Sequence, residues 1–497
     1  MIRILFFVLL AVLGAGFANA QNAADNQLTL APVFSDHMVL QRNKPIAVNG
    51  TGTAGSVIKV DFANKILHAT ADGSGKWKVV FPALKHGGPY VISVSAQAQK
   101  IVLKDVLIGD VWLCSGQSNM GFALQDAQTG PEELRTGTFN PNLRLLKMGG
   151  AISTGNVAWD SATLAKINQY EFFAGNWKTL NKASAASFSA IAYYFGKKIT
   201  KEENVPIGLI QVALGGSPTE SWIDRSLLKQ DQQFAGMLGD WQNSATVMDW
   251  CRERAAVNTG NAKSRDQKHP FQPGYNFQAG IAPLTNFPIS GVIWYQGESN
   301  VFNVPLHEQL FEMLVKSWRQ RWGYEFPFYY VQLSGIDRPN WPEFRNSQRL
   351  LLSKIPNSGM AVSYDFGDSL NVHPIRKTEV GERLALLALH DTYKKNVVAN
   401  GPIPAKAIVN EETITIEFRE KEKLGTRDNK PLIGFEIVTV NGKRVSVNAS
   451  IKGNEVVLNI PKNERIKTIL YAYQPFTHAN LYNEAGLPAP TFSMEVK

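Results

Sequence analysis

Between residues 27 and 104 the chain alternates apolar and polar positions in short runs, as in Val57-Ile58-Lys59-Val60-Asp61-Phe62 and Tyr90-Val91-Ile92-Ser93-Val94. Successive side chains of a strand point to opposite faces, so a period of two marks strands buried on one face. Gly, Asp, Ser and Asn turns separate the runs, and the close spacing predicts a small β-sandwich. From about Asp105 to Lys394 the texture changes. Apolar runs at Val106–Cys114, Gly208–Ala213, Gly291–Tyr295, Phe328–Leu333 and Gly359–Ser363 read as strands buried on both faces. Between them apolar residues recur at helical spacing: Ile191, Tyr194, Phe195 and Ile199; Leu310, Met313, Leu314 and Trp318; Val380, Leu384, Leu387 and Ala388. Strands alternating with helices predict a mainly parallel sheet. After Val397 the short alternating runs return, including Thr413-Ile414-Thr415-Ile416-Glu417-Phe418 and Glu455-Val456-Val457-Leu458, which predicts a second β-sandwich. Gln125–Gln169 and Gln230–Phe277 show no clear period and are expected to be long excursions walling the site.

The 497 residues exceed what one core usually holds. The pattern divides them into a leader at 1–20, an N-terminal β-sandwich domain at 21–104, an α/β domain at 105–394 and a C-terminal β-sandwich domain at 395–497. The leader carries one arginine, an apolar core from Ile4 to Leu13 and the small-residue ending Ala18-Asn19-Ala20. That is the pattern of a secretory signal peptide cut before Gln21. Its apolar core is too short to span a bilayer, and no cysteine follows the cleavage region to carry a lipid. A secreted or periplasmic protein without a membrane anchor is expected.

Composition adds exclusions. Of the two cysteines, Cys114 and Cys251, the first lies inside an apolar strand, where a thiol behaves as a small hydrophobe. Two unpaired thiols are expected. Without a nearby histidine pair they make no zinc site, so neither a metal nor another cofactor is expected. The net charge of +9 is dispersed, and no basic stripe interleaved with aromatics points to nucleic acid.

Chemistry concentrates where strands end. Val106–Cys114 runs into Ser115-Gly116-Gln117-Ser118-Asn119-Met120, a serine flanked by amides beyond the carboxyl end of a strand. Ligands of open α/β sheets bind there, and a serine so placed can act as a nucleophile if a base and oxyanion donors reach it. Gly291–Tyr295 spills into Gln296-Gly297-Glu298-Ser299-Asn300, and Asp365 to His373 brings two aspartates and a histidine into one loop. Serine early, amides in the middle and histidine late suit an esterase assembled from several strand ends, since geometry rather than chain order defines such a triad. Among 8 histidines, His373 has the best position for a general base, following a strand with carboxylates upstream. His37, in the N-terminal β region, reads as structural.

Gly116-Gln117-Ser118-Asn119-Met120, Trp294-Tyr295-Gln296-Gly297-Glu298-Ser299 and Val372-His373-Pro374 resemble the sialate O-acetylesterase family, within the SGNH-type hydrolases. The resemblance starts at Val33-Phe34-Ser35-Asp36-His37-Met38-Val39-Leu40-Gln41, includes Pro206-Ile207-Gly208-Leu209-Ile210 and ends at Leu481-Tyr482-Asn483-Glu484-Ala485-Gly486-Leu487-Pro488. It implies an α/β fold with an SGNH- or flavodoxin-like three-layer α/β/α catalytic domain between the two β-sandwiches. The implied activity is removal of acetyl groups from O-acetylated sialic acids. Acetylated plant polysaccharide such as xylan is the alternative substrate, and a non-catalytic glycan-binding protein the alternative class.

The resemblance implies Ser118 as nucleophile and His373 as base. Many SGNH-type hydrolases carry an aspartate three residues before the histidine, where this chain has Leu370, and often another two before, where it has Asn371. That leaves Asp368, Asp365 or a Ser–His dyad steadied by a backbone carbonyl. The Ser118 N–H and Gly216, after the strand Gly208–Ala213, are the expected backbone oxyanion donors. Ser299 falls where the superfamily usually has an asparagine, so Gln296 is the preferred amide donor, with Asn119 also on the substrate side. Glu298 is expected to anchor the site or to pair with Arg345 or another cation. A sialate carboxylate would call for a cleft cation, for which Arg225 and Arg345 are available.

Overall fold

The computed structural model describes residues 27–150, 152–462 and 464–496. The expected signal peptide, residues 1–20, lies outside them. One strand organises the mixed α/β molecule: β1 (Gln99–Gly116), whose residues are all buried from Val106 onward. Its first half pairs antiparallel with Gly87–Ala96 in the N-terminal β region. Its second half runs through a parallel sheet with β2 (Leu143–Gly150), β3 (Ile207–Ala213), β4 (Gly291–Tyr295), β5 (Phe328–Gln332) and β6 (Ser358–Val362). The order across that sheet is β2-β3-β1-β4-β5-β6. The chain therefore leaves β1 on one side for β2 and β3, then crosses to the other side for β4. Such a switch point opens a crevice beyond the strand ends.

Alternation along the strands feeds two cores. Trp112, Cys114, Ile293 and Tyr295 join Ile191, Phe195 and Leu384 from α1 (Ala190–Glu203) and α4 (Thr378–Leu387). Val111, Leu113, Val292 and Trp294 join Leu310, Leu314 and Trp318 from α2 (Val304–Trp322). Each large side chain so buried contributes about 1.5–3 kcal/mol. The helices begin and end where local chemistry dictates. Ser189 caps α1 by accepting from the Ala192 N–H, and the helix ends at a left-handed Asn204. Asn303 caps α2 ahead of Pro305, and Gly323 at φ 75° terminates it. A further helix, α3 (Trp341–Leu351), lies between β5 and β6 in the chain.

All five expected strands are present, four within one residue of their predicted ends, while β1 begins at Gln99 rather than Val106, and the three helical stripes fall on α1, α2 and α4. The segment Gln125–Gln169 differs: it contributes β2, a strand of the parallel sheet, rather than only a wall. Arg144 and Lys147 interrupt its apolar run. Arg144 is buried nonetheless, its charge met by Asp105 at 2.6 Å. Periodicity cannot see that compensation.

The outer regions are β-structure, antiparallel except for Val39–Gln41, which pairs parallel with β1. Thr29–Leu30, Ile46–Thr51 and Lys76–Phe81 form one sheet. Val57–Phe62 buries Ile58, Val60 and Phe62 while its alternate residues face water. After α4 come two four-stranded sheets, one around Thr413–Phe418 and one around Phe435–Thr439. The N-terminal motif has a structural use: Gln41 accepts from the Val111 N–H at 2.8 Å and donates to Asp110 at 3.0 Å, while His37 meets Asp105 at 2.7 Å. Both free cysteines are buried. Among the described residues no helix is long and apolar enough to cross a membrane.

Candidate active site

Ser118 begins the short turn Ser118–Gly121 directly after β1. The approach to it requires glycine. Gly116 has φ 138°, and a Cβ there would lie 2.1 Å from the Tyr295 carbonyl oxygen. The Gln117 N–H donates to that same carbonyl at 3.0 Å, and the Gly297 N–H donates to Gln117 Oε1 at 3.3 Å. The ends of β1 and β4 are thereby tied together. The Ser118 Oγ lies 2.7 Å from Nε2 of His373, 255 residues later in the chain.

The histidine loop is folded by its own side chains. Asp368 Oδ1 accepts from the N–H groups of Leu370 and Asn371, at 2.9 and 3.0 Å. Asn371 Oδ1 in turn accepts from the His373 N–H at 2.9 Å. Short polar side chains commonly close turns in this way. Asp365, also expected as a possible triad acid, is held elsewhere: it forms a buried ion pair with Arg383 at 2.7 Å and accepts from the Tyr482 hydroxyl at 2.7 Å. Among the described residues nothing hydrogen-bonds His373 Nδ1, so neither aspartate reaches the imidazole. Burial, then the charges of Lys377 and Arg338, hold the His373 pKa below its ordinary value.

Asn119 links the two halves of the site. Its Nδ2 donates to Glu298 Oε1 at 2.6 Å and to the Val372 carbonyl at 3.0 Å. Its Oδ1 accepts from Lys377 Nζ. Asn119, Glu298 and Lys377 are all buried. Lys377 lies over the rings of Phe122 and Tyr295, and burial brings its pKa down to about 7. Burial raises the Glu298 carboxyl, with the Asn119 bond and Lys377 opposing that rise. Glu298 is thus an anchor whose cationic neighbour is Lys377 rather than Arg345. Asn119, with both ends of its amide engaged inward, acts as a clamp rather than a substrate-facing group.

The β3 end supplies the opposite wall. A Cβ on Gly215 would sit 3.5 Å from that of Ser118, so this turn lies against the serine. Gly216 has φ 73°, and its Cα faces the indole of Trp250, which a Cβ would strike at 2.2 Å. Ser299 Oγ donates to the Gly216 carbonyl at 3.0 Å, fixing the turn. No hydrogen bond among the described residues occupies the Gly216 N–H, and the Ser118 N–H, at the first helical position, has no intrahelical acceptor. Gln296 is not a free donor. Its Nε2 donates to Asn300 Oδ1 at 2.8 Å and to the Ser217 carbonyl at 3.3 Å, while its Oε1 accepts from Thr219 at 2.6 Å. Both amide hydrogens are spent inside the core, in a network that ends on the buried carboxyl of Glu220.

Arg225 and Arg345 are committed as well. Arg345 is fully buried and donates to the backbone of Ala472 and Gln474, and Arg225 donates to the Pro273 and Leu238 carbonyls. The charged residues that the sequence reading missed are Lys377 and Arg338. A lysine just before a helix, and an arginine in an Asp-Arg-Pro-Asn turn, both read as ordinary solvated charges. Their four-residue and thirty-five-residue separations from His373 carry no signal without the fold.

The chain is similar to known carbohydrate acetylesterases. A family model described as a carbohydrate esterase, sialic acid-specific acetylesterase, matches residues 277–390, which contain Glu298, His373 and Lys377. The chain is 27% identical over 521 residues to the sialate O-acetylesterase of Homo sapiens, covering 95% of this chain and 94% of that one. Identity to the Mus musculus sialate O-acetylesterase is 27% over 464 residues, covering 84% of each. A crystal structure described as a novel carbohydrate acetylesterase from Xanthomonas citri matches with a TM-score of 0.78 at 29% identity, over 94% of this chain and 99% of that one.

Proposed function

The chain belongs to the sialate O-acetylesterase family and is a carboxylic ester hydrolase, and from that premise we propose that it removes acetyl groups from O-acetylated sialic acids by Ser118–His373 catalysis through an acetyl-enzyme. The observation that carries the mechanism is the 2.7 Å contact between Ser118 Oγ and His373 Nε2. His373 takes the hydroxyl proton as Ser118 Oγ attacks the acetyl carbonyl. The N–H groups of Ser118 and Gly216 receive the oxyanion. His373 then returns the proton to the departing sugar oxygen. Water, activated by the same imidazole, attacks the acetyl-serine and releases acetate. Among the described residues no carboxylate hydrogen-bonds the imidazole, so in this reading the pair works as a dyad in which the Asn119 clamp on the Val372 carbonyl holds the imidazole loop.

In the same reading the β1–β6 sheet with its helices is an SGNH-type three-layer catalytic domain spanning 105–394, and the outer β regions, 21–104 and 395–497, are sandwich domains. Cleavage near Ala20 exports the protein. Its substrate is an acetylated glycan, with acetylated xylan as the second candidate.

The test compares acetate release from 4-nitrophenyl acetate, acetylated mucin and acetylated xylan by wild type and Ser118→Ala. Wild type should act on the ester and on mucin, and Ser118→Ala should lose about three orders of magnitude or more with its circular dichroism unchanged. An unimpaired Ser118→Ala would end the mechanism. Activity confined to xylan would end the sialate assignment.

A further inference from the structure

The cations around the site are mostly spent. Lys377 is buried on Asn119, Arg383 is paired with Asp365, and Arg376 is paired with Glu379. Arg338 differs from all of them. It is exposed, and among the described residues its guanidinium has neither an ion pair nor a hydrogen-bond acceptor.

Its backbone, by contrast, is fixed. The loop carrying it follows β5, the neighbour of β4, so it emerges at the carboxyl edge of the sheet beside the Gln296–Asn300 segment. The loop is sewn to the histidine loop by the Asp337 N–H donating to the Ser369 carbonyl at 3.0 Å, and the Asp368 N–H donating to the Gly335 carbonyl at 3.1 Å. The Arg338 N–H closes onto the Ile336 carbonyl at 2.9 Å, Pro339 follows with its restricted φ, and Trp341 Nε1 holds the Ser334 carbonyl at 2.7 Å. A pinned backbone thus presents a free guanidinium on the His373 rim. The charge of Arg338 is felt at both His373 and Glu298. Among the described residues neither Asp337 nor Asp368 forms an ion pair with it, and Asp368 Oδ1 closes its own turn.

A guanidinium offers a planar fork of donors that matches a carboxylate with two parallel hydrogen bonds. We propose that Arg338 binds the carboxylate of an acidic sugar and so presents that sugar's acetyl ester to Ser118. This assignment rests on the reading of the site as an esterase for acidic sugars. Arg338 touches the substrate away from the reacting bond, so it sets specificity rather than chemistry.

The experiment uses the full chain, with O-acetylated N-acetylneuraminic acid and the same compound as its carboxyl methyl ester. Wild type should prefer the free acid by about tenfold or more in kcat/KM, the preference shrinking as salt is raised. Arg338→Gln should abolish that preference, and Arg338→Lys should keep part of it. Equal cleavage of both compounds by wild type, or a full preference surviving in Arg338→Gln, overturns the role of Arg338 alone. A wild type that cleaves neither compound overturns the acidic-sugar reading, and the role of Arg338 with it.

Discussion

Asn119, the residue after the serine, donates a hydrogen bond to the carbonyl of Val372, the residue before the histidine, at 3.0 Å. The Ser118 and His373 side chains are therefore held together by their chain neighbours as well as by their own contact. Glu298 takes the same amide nitrogen and Lys377 takes the amide oxygen, so the clamp is set from both ends.

Replacing Asn119 with alanine should lower kcat about 10- to 100-fold with a smaller change in KM. The serine and base stay present but lose their mutual alignment. Stability should fall by about 1–3 kcal/mol, because Glu298 and Lys377 each lose a buried partner. Steady-state kinetics and denaturant unfolding of the same preparation check both outcomes.

If His373 is the base as proposed, the acid limb of kcat/KM should lie below pH 6.5, since it works only when neutral and its pKa is depressed by burial and by Lys377 and Arg338. Lys377, with its pKa near 7, is charged over the range where His373 titrates. Lys377→Met removes that repulsion, so the limb should move to higher pH. A limb that stays put or moves toward acid would refute the electrostatic coupling.

Asp365→Asn should cost stability and spare chemistry. Its carboxylate pairs with Arg383 and Tyr482, not with His373. Leaving Arg383 buried without its anion should cost about 3 kcal/mol. The rate per folded molecule should stay within severalfold, whereas Asp-to-Asn in a working triad costs about four orders of magnitude. Active-site titration of the folded fraction separates the two.

Gly216→Ala should cost about tenfold or more in kcat. The residue has φ 73°, which alanine adopts only under strain, and the new Cβ meets the Trp250 indole at 2.2 Å, so the turn or the ring shifts, and a shifted turn carries the proposed oxyanion donor with it. Retention of full kcat would remove Gly216 from the donor set.

Glu220 should make the protein less stable as pH rises from about 4.5 to about 7. Burial raises its folded pKa from 4.5 to about 7, so in that window the native state binds more protons than the unfolded one. The Glu220 contribution is complete below the unfolded value and is lost on passing through the folded one. Glu220→Gln keeps an acceptor for Asn300 and cannot ionise. Its melting temperature should therefore decline less than that of wild type between pH 5 and 7.5.

The sequence by itself determined which segments lie inside. Val106–Cys114 and Gly291–Tyr295 are apolar on both faces, and the stripe from Ile191 to Ile199 has helical spacing, so their burial follows from local chemistry. It also marked Ser118 and His373, through their places beyond strand ends together with the family resemblance of the motifs that carry them. Only the tertiary structure decided how the remaining polar groups are spent. Gln296, Asp365 and Arg345 looked available along the chain, yet their partners Asn300, Arg383 and the Gln474 carbonyl come from other elements of the fold. The same holds for β2, whose arginine is neutralised by Asp105, 39 residues away. A polar side chain advertises donors and acceptors but not who will satisfy them. That is settled by strand order and loop crossing, which one-dimensional periodicity does not encode.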